Sequence, residues 1–483
     1  MSAAGVSAAS GVVRLSGISG LALVVVVLAT ILREVAGLAM AGEVAAACLA
    51  AYVLLQAPRL PRAGKLILLV AMAVGLGCLG FVGDPAAVAG KAARTGSYYA
   101  TLFTAVGFLR AAAEGSPMIR RCGRHMLAQP PTRRYAALTL GANLFGLILS
   151  FGTLHLLGTM VKRANTLAAA GGDARVQAVR ARRLFTAVLR GFAMSPGWSP
   201  LSISLAVSLS VTPGAHWEGV LPLAFVTAMA LLALGWLMDV VTAPRVRPRA
   251  PGPAGGGERW TVHLRLIALI AFIFVVAVVL EKALAIRLLD GVILSVPVIA
   301  VVWIALQGRR RGAAVALALT GRRIARQVRE VFPTYRMEIT ILASAGFAGT
   351  AVAAALPTDQ IAAAIRALHL PPELIPGLIV ALVVLGGQLA MNPIITVIIV
   401  AAVLPPPAVL GTTPVTVAAS YMIAWGLTVG GSPFTLSTLV LGSIAGHSGR
   451  FVGHVWNGTY TVLSLILVTA WFALLSWWLG GPA

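Results

Sequence analysis

Three places in the sequence pair a residue able to cap a helix with a proline: Ser199-Pro200, Asn392-Pro393 and Ser432-Pro433. A Ser or Asn oxygen accepts from the exposed N–H groups of a first helical turn, and proline suits the first helical position. Each pair therefore predicts a helix that starts in the middle of an apolar segment. Such a start points N–H groups and the positive dipole end into the protein, and the residues before it leave carbonyls free. The chemistry this offers is binding, of an anion at the N–H groups or of a cation such as Na+ at carbonyls and hydroxyls. Non-helical backbone inside a membrane is tolerable only where it lines a polar cavity or is buried in protein.

The candidate substrate- or ion-binding residues follow from these breaks. Around the two Ser-Pro pairs they are Ser195, Ser199, Pro200, Ser202, Thr428, Ser432, Pro433 and Thr435, with Ser437 beside them. Around Asn392 they are Gly386, Gly387, Gln388, Asn392, Pro393 and Thr396, and near position 150 they are Ser150, Gly152 and Thr153. The plainer alternative is a proline kink with hydroxyls bonded to their own backbone, and it weighs most for Ser202, Ser204 and Ser437. Catalytic chemistry has little to draw on. The broken segments hold no carboxylate; Glu43, Asp239 and Glu338 sit near segment ends, and His155 could titrate near neutrality but reads better as a packed neutral ring. Cys48, Cys78 and Cys122 have no metal-ligand spacing. No catalytic residue, metal centre or cofactor is expected, beyond a possible transported Na+. Gly75, Gly77 and Gly80 match a dinucleotide-binding spacing, but inside an apolar run with no strand they read as helix packing.

The elements that must position these residues are membrane helices. Of 483 residues, 59% are hydrophobic and only 11% charged, less than half the roughly 25% of a soluble chain. No water-soluble fold of this size could bury so many apolar side chains. The net charge of +23 could suggest nucleic acid, but the basic residues sit between long apolar runs rather than among aromatics on a polar face. That is the pattern of cytoplasmic membrane loops, and no nucleic-acid partner is expected.

With about 20 apolar residues per crossing, the spans expected are 16–32, 36–56, 65–82, 96–113, 184–211, 218–240, 262–281, 289–306, 337–356, 413–446 and 456–480. Counting Lys and Arg puts 31 of the 37 on one side, provided that two further segments enter and leave on the same side. These are 135–161, broken by Gly141, Gly146 and Gly152, and 374–404, broken by Gly386, Gly387 and Pro393. The expectation is an all-α polytopic membrane protein of the cytoplasmic (inner) membrane. It has about eleven transmembrane helices and two re-entrant hairpins, with the N-terminus cytoplasmic and the C-terminus outside.

The stretch Gly197-Trp-Ser-Pro-Leu-Ser-Ile-Ser204 is echoed by Gly430-Gly-Ser-Pro-Phe-Thr-Leu-Ser437, each in the span that follows a hairpin. The charge count gives those spans opposite directions, so the halves read as inverted repeats, the mark of a secondary transporter. Residues 1–35 would be an extra first helix, 36–242 repeat one, 243–259 a cytoplasmic Pro/Gly/Arg linker and 260–483 repeat two. Two Arg-rich amphipathic stretches, 172–190 and 309–332, suit the anionic lipids of the cytoplasmic leaflet.

In this layout the chain resembles the ion transporter superfamily, which includes divalent anion:sodium symporters and citrate-transporter-like proteins. The superfamily's Ser-Asn-Thr signatures are absent; Ser150-Phe-Gly-Thr153 and Asn392-Pro-Ile-Ile-Thr396 stand nearest, and Thr428-Val-Gly-Gly-Ser-Pro433 looks like its second helix break. The resemblance implies a homodimer with a static scaffold and a mobile unit that carries substrate by an elevator movement. The leading reading is a non-enzymatic secondary transporter of a small anion, a carboxylate or similar, coupled to Na+ or H+. The alternatives are a membrane-embedded enzyme on a lipid or isoprenoid substrate and a channel-like membrane protein.

Overall fold

A computed structural model of the chain describes residues 3–242 and 260–479, so the expected linker at 243–259 lies outside the described residues. Among those residues the chain is all-α. Its first ten helices are α1 (Ala3–Ala36), α2 (Ala39–Gln56), α3 (Arg62–Leu79), α4 (Pro85–Glu114), α5 (Pro117–Leu127), α6 (Pro131–Leu149), α7 (Gly152–Ala164), α8 (Ala174–Met194), α9 (Ile203–Val211) and α10 (Trp217–Thr242). The second ten are α11 (Thr261–Leu284), α12 (Leu288–Gly308), α13 (Ala313–Arg326), α14 (Arg336–Ala355), α15 (Thr358–Ala367), α16 (Ile375–Gln388), α17 (Pro393–Val403), α18 (Pro414–Gly431), α19 (Leu436–Ala445) and α20 (Gly458–Leu479).

The polytopic all-α architecture agrees with the composition. By length and apolar character, nine helices among the described residues can cross a bilayer, or ten if the bent pair Asp359–Ala367 and Pro372–Gln388 counts as one. Two expected spans take other forms. Segment 96–113 is the core of α4, a 30-residue helix that also carries Lys91, Arg94 and Arg110. Segment 184–211 is split between α8 and α9 by the non-helical residues 195–202.

The chain divides into two compact units, each assembled from separate stretches. The first is Met1–Gly115 with Phe272–Pro357, and the second is Ser116–Ala271 with Thr358–Ala483. In the first unit, polar ties cross between otherwise apolar helices. The Tyr52 hydroxyl donates to the Phe332 carbonyl at 2.9 Å, Gln56 Nε2 donates to Ser19 Oγ at 2.6 Å, and the Thr30 and Thr101 hydroxyls pair at 2.9 Å. Arg287 bonds both Asp290 and Glu34, and Tyr98 also donates to Asp290 at 2.9 Å. The bonds of Tyr52, Gln56 and Thr30 are buried, and away from water such bonds have no competitor, so they fix register between helices that Leu and Val alone would let slide.

The second unit contains every candidate residue. Segment 135–161 is the pair α6–α7, parted at Ser150 and Phe151, where Ser150 takes φ +48°. Segment 374–404 is the pair α16–α17, parted at 389–392, where Ala390 takes φ +63°. Each helix pair thus turns on a non-glycine residue in the left-handed region, a conformation that persists only where the surroundings hold it.

Candidate functional site

Two helix breaks lie in the second unit. In the first, α8 ends at Met194 and α9 begins at Ile203; in the second, α18 ends at Gly431 and α19 begins at Leu436. Ser199 and Ser432 were expected to cap the outgoing helices, and the structure corrects this. The cap positions lie three residues further on in each case, at Ser202, whose hydroxyl accepts from the Leu205 N–H, and at Thr435, whose side chain accepts no bond from the first turn of α19. Ser199 and Ser432 instead close a turn inside the break, accepting from the N–H of Leu201 at 3.0 Å and of Phe434 at 3.2 Å. The proline between them has no N–H to give, so the hydroxyl bonds the next N–H along and delays the helix by one turn.

The two breaks carry the same bonds 233 residues apart. Ser202 donates to the Ser199 carbonyl at 2.8 Å, and Thr435 to the Ser432 carbonyl at 3.1 Å. Ser202 also reaches the Pro196 carbonyl at 3.4 Å, and Thr435 the Val429 carbonyl at 3.0 Å. Ser204 and Ser437 bond those same two carbonyls. The hydroxyl pairs Ser202–Ser204 and Thr435–Ser437 close at 2.8 and 3.1 Å. The carbonyls of Pro196, Ser199, Val429 and Ser432 are held here by side chains, which supports the unwound backbone.

Each break rests on a helix pair through a glycine. A Cβ on Gly146 of α6 would collide with Ser195 Oγ and lie 2.7 Å from its Cβ. A Cβ on Gly387 of α16 would collide with the Thr428 methyl and lie 3.5 Å from the Cβ of Ser432. Ser195 and Thr428 are themselves 233 residues apart. The second pair is tied further, since Ser432 Oγ donates to the Gly387 carbonyl at 2.7 Å. Gly386 faces Thr396, whose hydroxyl donates to the Asn392 carbonyl at 3.1 Å. Asn392 is the expected cap of α17, its Oδ1 accepting from the Ile394 N–H at 2.9 Å, with Pro393 as the first helical residue. Gln388 Oε1 lies 2.8 Å from Nε2 of His454.

The structure therefore brings Gly387, Thr396, Thr428, Ser432, Pro433 and Thr435 into one cluster with Asn392. Ser195, Ser199, Pro200 and Ser202 form its counterpart. Ser150, Gly152 and Thr153 stay at the α6–α7 turn, where no described hydrogen bond joins them to a break. The Thr153 hydroxyl is fully buried and has no hydrogen-bond partner among the described residues.

Several residues of this centre were not evident from the sequence. Asn143 on α6 donates to the Gly191 carbonyl at 3.0 Å and accepts from the Trp198 indole at 3.1 Å, fastening the first break. Arg190 was assigned to a cytoplasmic basic loop, but it is buried on α8 with 6% of its surface exposed. Its guanidinium bonds Asn457 Oδ1 at 2.8 Å, the Tyr135 hydroxyl at 2.8 Å and the Gly235 carbonyl at 3.1 Å, and lies 4.4 Å from the Tyr460 ring centroid. Asn457 in turn donates to the Gly430 carbonyl at 2.9 Å. A chain of bonds thus runs from the helix before the first break to the last turn before the second. The sequence signal was the polar Asn457 at the start of an apolar span, where Asn457-Gly-Thr matches a glycosylation acceptor but is discounted by its place on the inner side.

No family model and no curated protein matches the sequence. Two solved structures are similar in fold. MtrF of Neisseria gonorrhoeae, described as one of a class of antimetabolite efflux pumps, aligns over 86% of this chain and 95% of its own, at 11% identity and a TM-score of 0.50. The YdaH transporter of Alcanivorax borkumensis, described as having an unusual topology, aligns over 86% of this chain and 89% of its own, at 13% identity and a TM-score of 0.49. At such an identity the likeness to MtrF is one of fold alone.

Proposed function

We propose that the chain is a secondary active transporter moving a small anion, a carboxylate or similar, across the cytoplasmic membrane by way of the two helix breaks. The observation that carries this reading is the hydrogen-bond network of one break recurring 233 residues later in the other. Paired, side-chain-supported breaks in membrane helices are the sites where secondary transporters hold substrate and coupling ions. The resemblance to the ion transporter superfamily and the fold shared with MtrF point the same way.

In this reading the second unit, with its two helix pairs, is the carrier and the first unit the static scaffold of a homodimer. The halves are inverted repeats, and movement is of the elevator kind. The outgoing helices α9, α17 and α19 present N–H groups and positive dipole ends to an anion. The unwound carbonyls and hydroxyls are the ligands that a Na+ ion accepts; a proton gradient is the other possible drive.

The test is flux in proteoliposomes. A thermal-shift screen of carboxylates, sulfonates and oxyanions, with and without Na+, selects the solute, because binding to the folded state raises apparent stability. Flux of that solute driven by an imposed Na+ or proton gradient supports the proposal. Flux insensitive to both gradients, in either direction, would make the protein a channel.

A further inference from the structure

Four arginines surround one cavity of the second unit, away from the helix breaks. The cavity, of about 500 Å³, lies between α5 and α7 and is lined by Arg120, Arg121, Arg124 and Arg163 together with Thr159, Leu156 and Met160. Arg120 and Arg124 stand one turn apart on α5, and Thr159 and Arg163 one turn apart on α7. No acidic side chain lines the cavity, and Arg120, Arg124 and Arg163 make no ion pair with any described residue.

Like charges gathered around one cavity repel each other. An anion that sits among them relieves that repulsion, and guanidinium forks suit phosphate oxygens. Helix α5 is two-faced: Ile119, Cys122, Gly123, His125 and Met126 are buried, while Arg120, Arg121 and Arg124 face outward. A short amphipathic helix with an Arg-rich outer face is built for the boundary between headgroups and hydrocarbon. Leu156 and Met160 give the same cavity an apolar wall, as acyl chains leaving a headgroup require.

We infer that this cavity binds the phosphate of an anionic phospholipid, with Arg120, Arg124 and Arg163 on the phosphate oxygens and Leu156 and Met160 against the chains. A free oxyanion would satisfy the arginines equally, but it would leave the apolar wall unused. The inference stands apart from the transport reading, since it concerns lipid binding alone.

The test is native mass spectrometry of the full-length protein, stripped of lipid in neutral detergent and titrated with phosphatidylglycerol or with phosphatidylcholine. Phosphatidylglycerol is expected to bind the unaltered protein at least tenfold more tightly. Arg120→Gln with Arg124→Gln should abolish most of that preference. Arg163→Gln, on the opposite wall, should weaken it several-fold and serves if the pair does not fold. Arg59→Gln with Arg62→Gln removes the same charge elsewhere and should leave the preference intact. Equal binding of the two lipids by the unaltered protein, or a preference undiminished in the Arg163→Gln protein, overturns the inference. So does displacement of phosphatidylglycerol by inorganic phosphate at equal concentration, which would make the cavity a free-oxyanion site.

Discussion

The Ser432 hydroxyl donates to the Gly387 carbonyl at 2.7 Å, joining the second helix break to the end of α16. The same oxygen accepts from the Phe434 N–H at 3.2 Å, so one side chain shapes the turn and anchors the neighbouring helix. Ser432→Ala leaves a buried carbonyl without its donor, a loss of about 1–3 kcal/mol. Ser199→Ala leaves the buried Leu201 N–H without its acceptor, again about 1–3 kcal/mol, but it breaks one bond where Ser432→Ala breaks two. Thermal unfolding in detergent should rank Ser432→Ala below Ser199→Ala, and uptake assays should show weaker substrate affinity in both. Unchanged affinity in both variants would remove the breaks from the binding site.

The contact of Gly387 with Thr428 gives a prediction with a built-in rescue. Gly387→Ala places a methyl group on the Thr428 methyl, and overpacking of this kind costs about 1–3 kcal/mol. Thr428→Ser removes the obstructing methyl and keeps the hydroxyl that bonds the Ala424 carbonyl at 2.8 Å. The double variant should therefore be more stable than Gly387→Ala alone, by about 1 kcal/mol or more in a double-mutant cycle. Additive losses would mean that the helix pair does not press on the break here.

Arg190 supports a third prediction. A planar guanidinium reaches Asn457, Tyr135 and Gly235 at once, and a lysine ammonium cannot copy that fork. Arg190→Lys should lower the yield of folded monodisperse protein and cost about 2–4 kcal/mol, as expected when buried charged-group bonds are broken. Asn457→Ala should cost about 1–3 kcal/mol, and it also frees the Gly430 carbonyl. Because the two residues share one network, the double variant should lose less than the sum of the single losses. Size-exclusion profiles and melting curves of the four proteins decide it.

How much of this was legible in the sequence depends on the range of the interaction. Membrane helices and their approximate limits follow from apolar runs of bilayer length, a local property. The breaks were also legible, because Ser-Pro and Asn-Pro act on neighbouring backbone; at Asn392 the cap matched, whereas at Ser199 and Ser432 the extra turn shifted it to Ser202 and Thr435. Arg190 was misplaced because a charge count treats every arginine as solvent-facing, and its partners lie 45 to 267 residues away in the chain. The seats of Ser195 on Gly146 and Thr428 on Gly387 depend on tertiary approach, which no short spacing encodes.

Asn392 separates the structural from the functional role of a cap. Its Oδ1 holds the Ile394 N–H at 2.9 Å and its carbonyl accepts from Thr396. Asn392→Ala removes the cap, which costs about 1 kcal/mol. Asn392→Ser and Asn392→Asp keep a capping oxygen, so both should hold stability within a few tenths of a kcal/mol of the starting protein. If α17 presents its N-terminus to an anionic solute, Asn392→Asp should still weaken binding, because its carboxylate repels the solute that the helix end attracts. Asn392→Ser should bind nearly as well as the unaltered protein. Thermal-shift titrations with the solute selected for transport read both quantities in one experiment. Equal affinity for Asn392→Asp and Asn392→Ser, at equal stability, would show that this helix end is closed to the solute and leave it a purely structural cap.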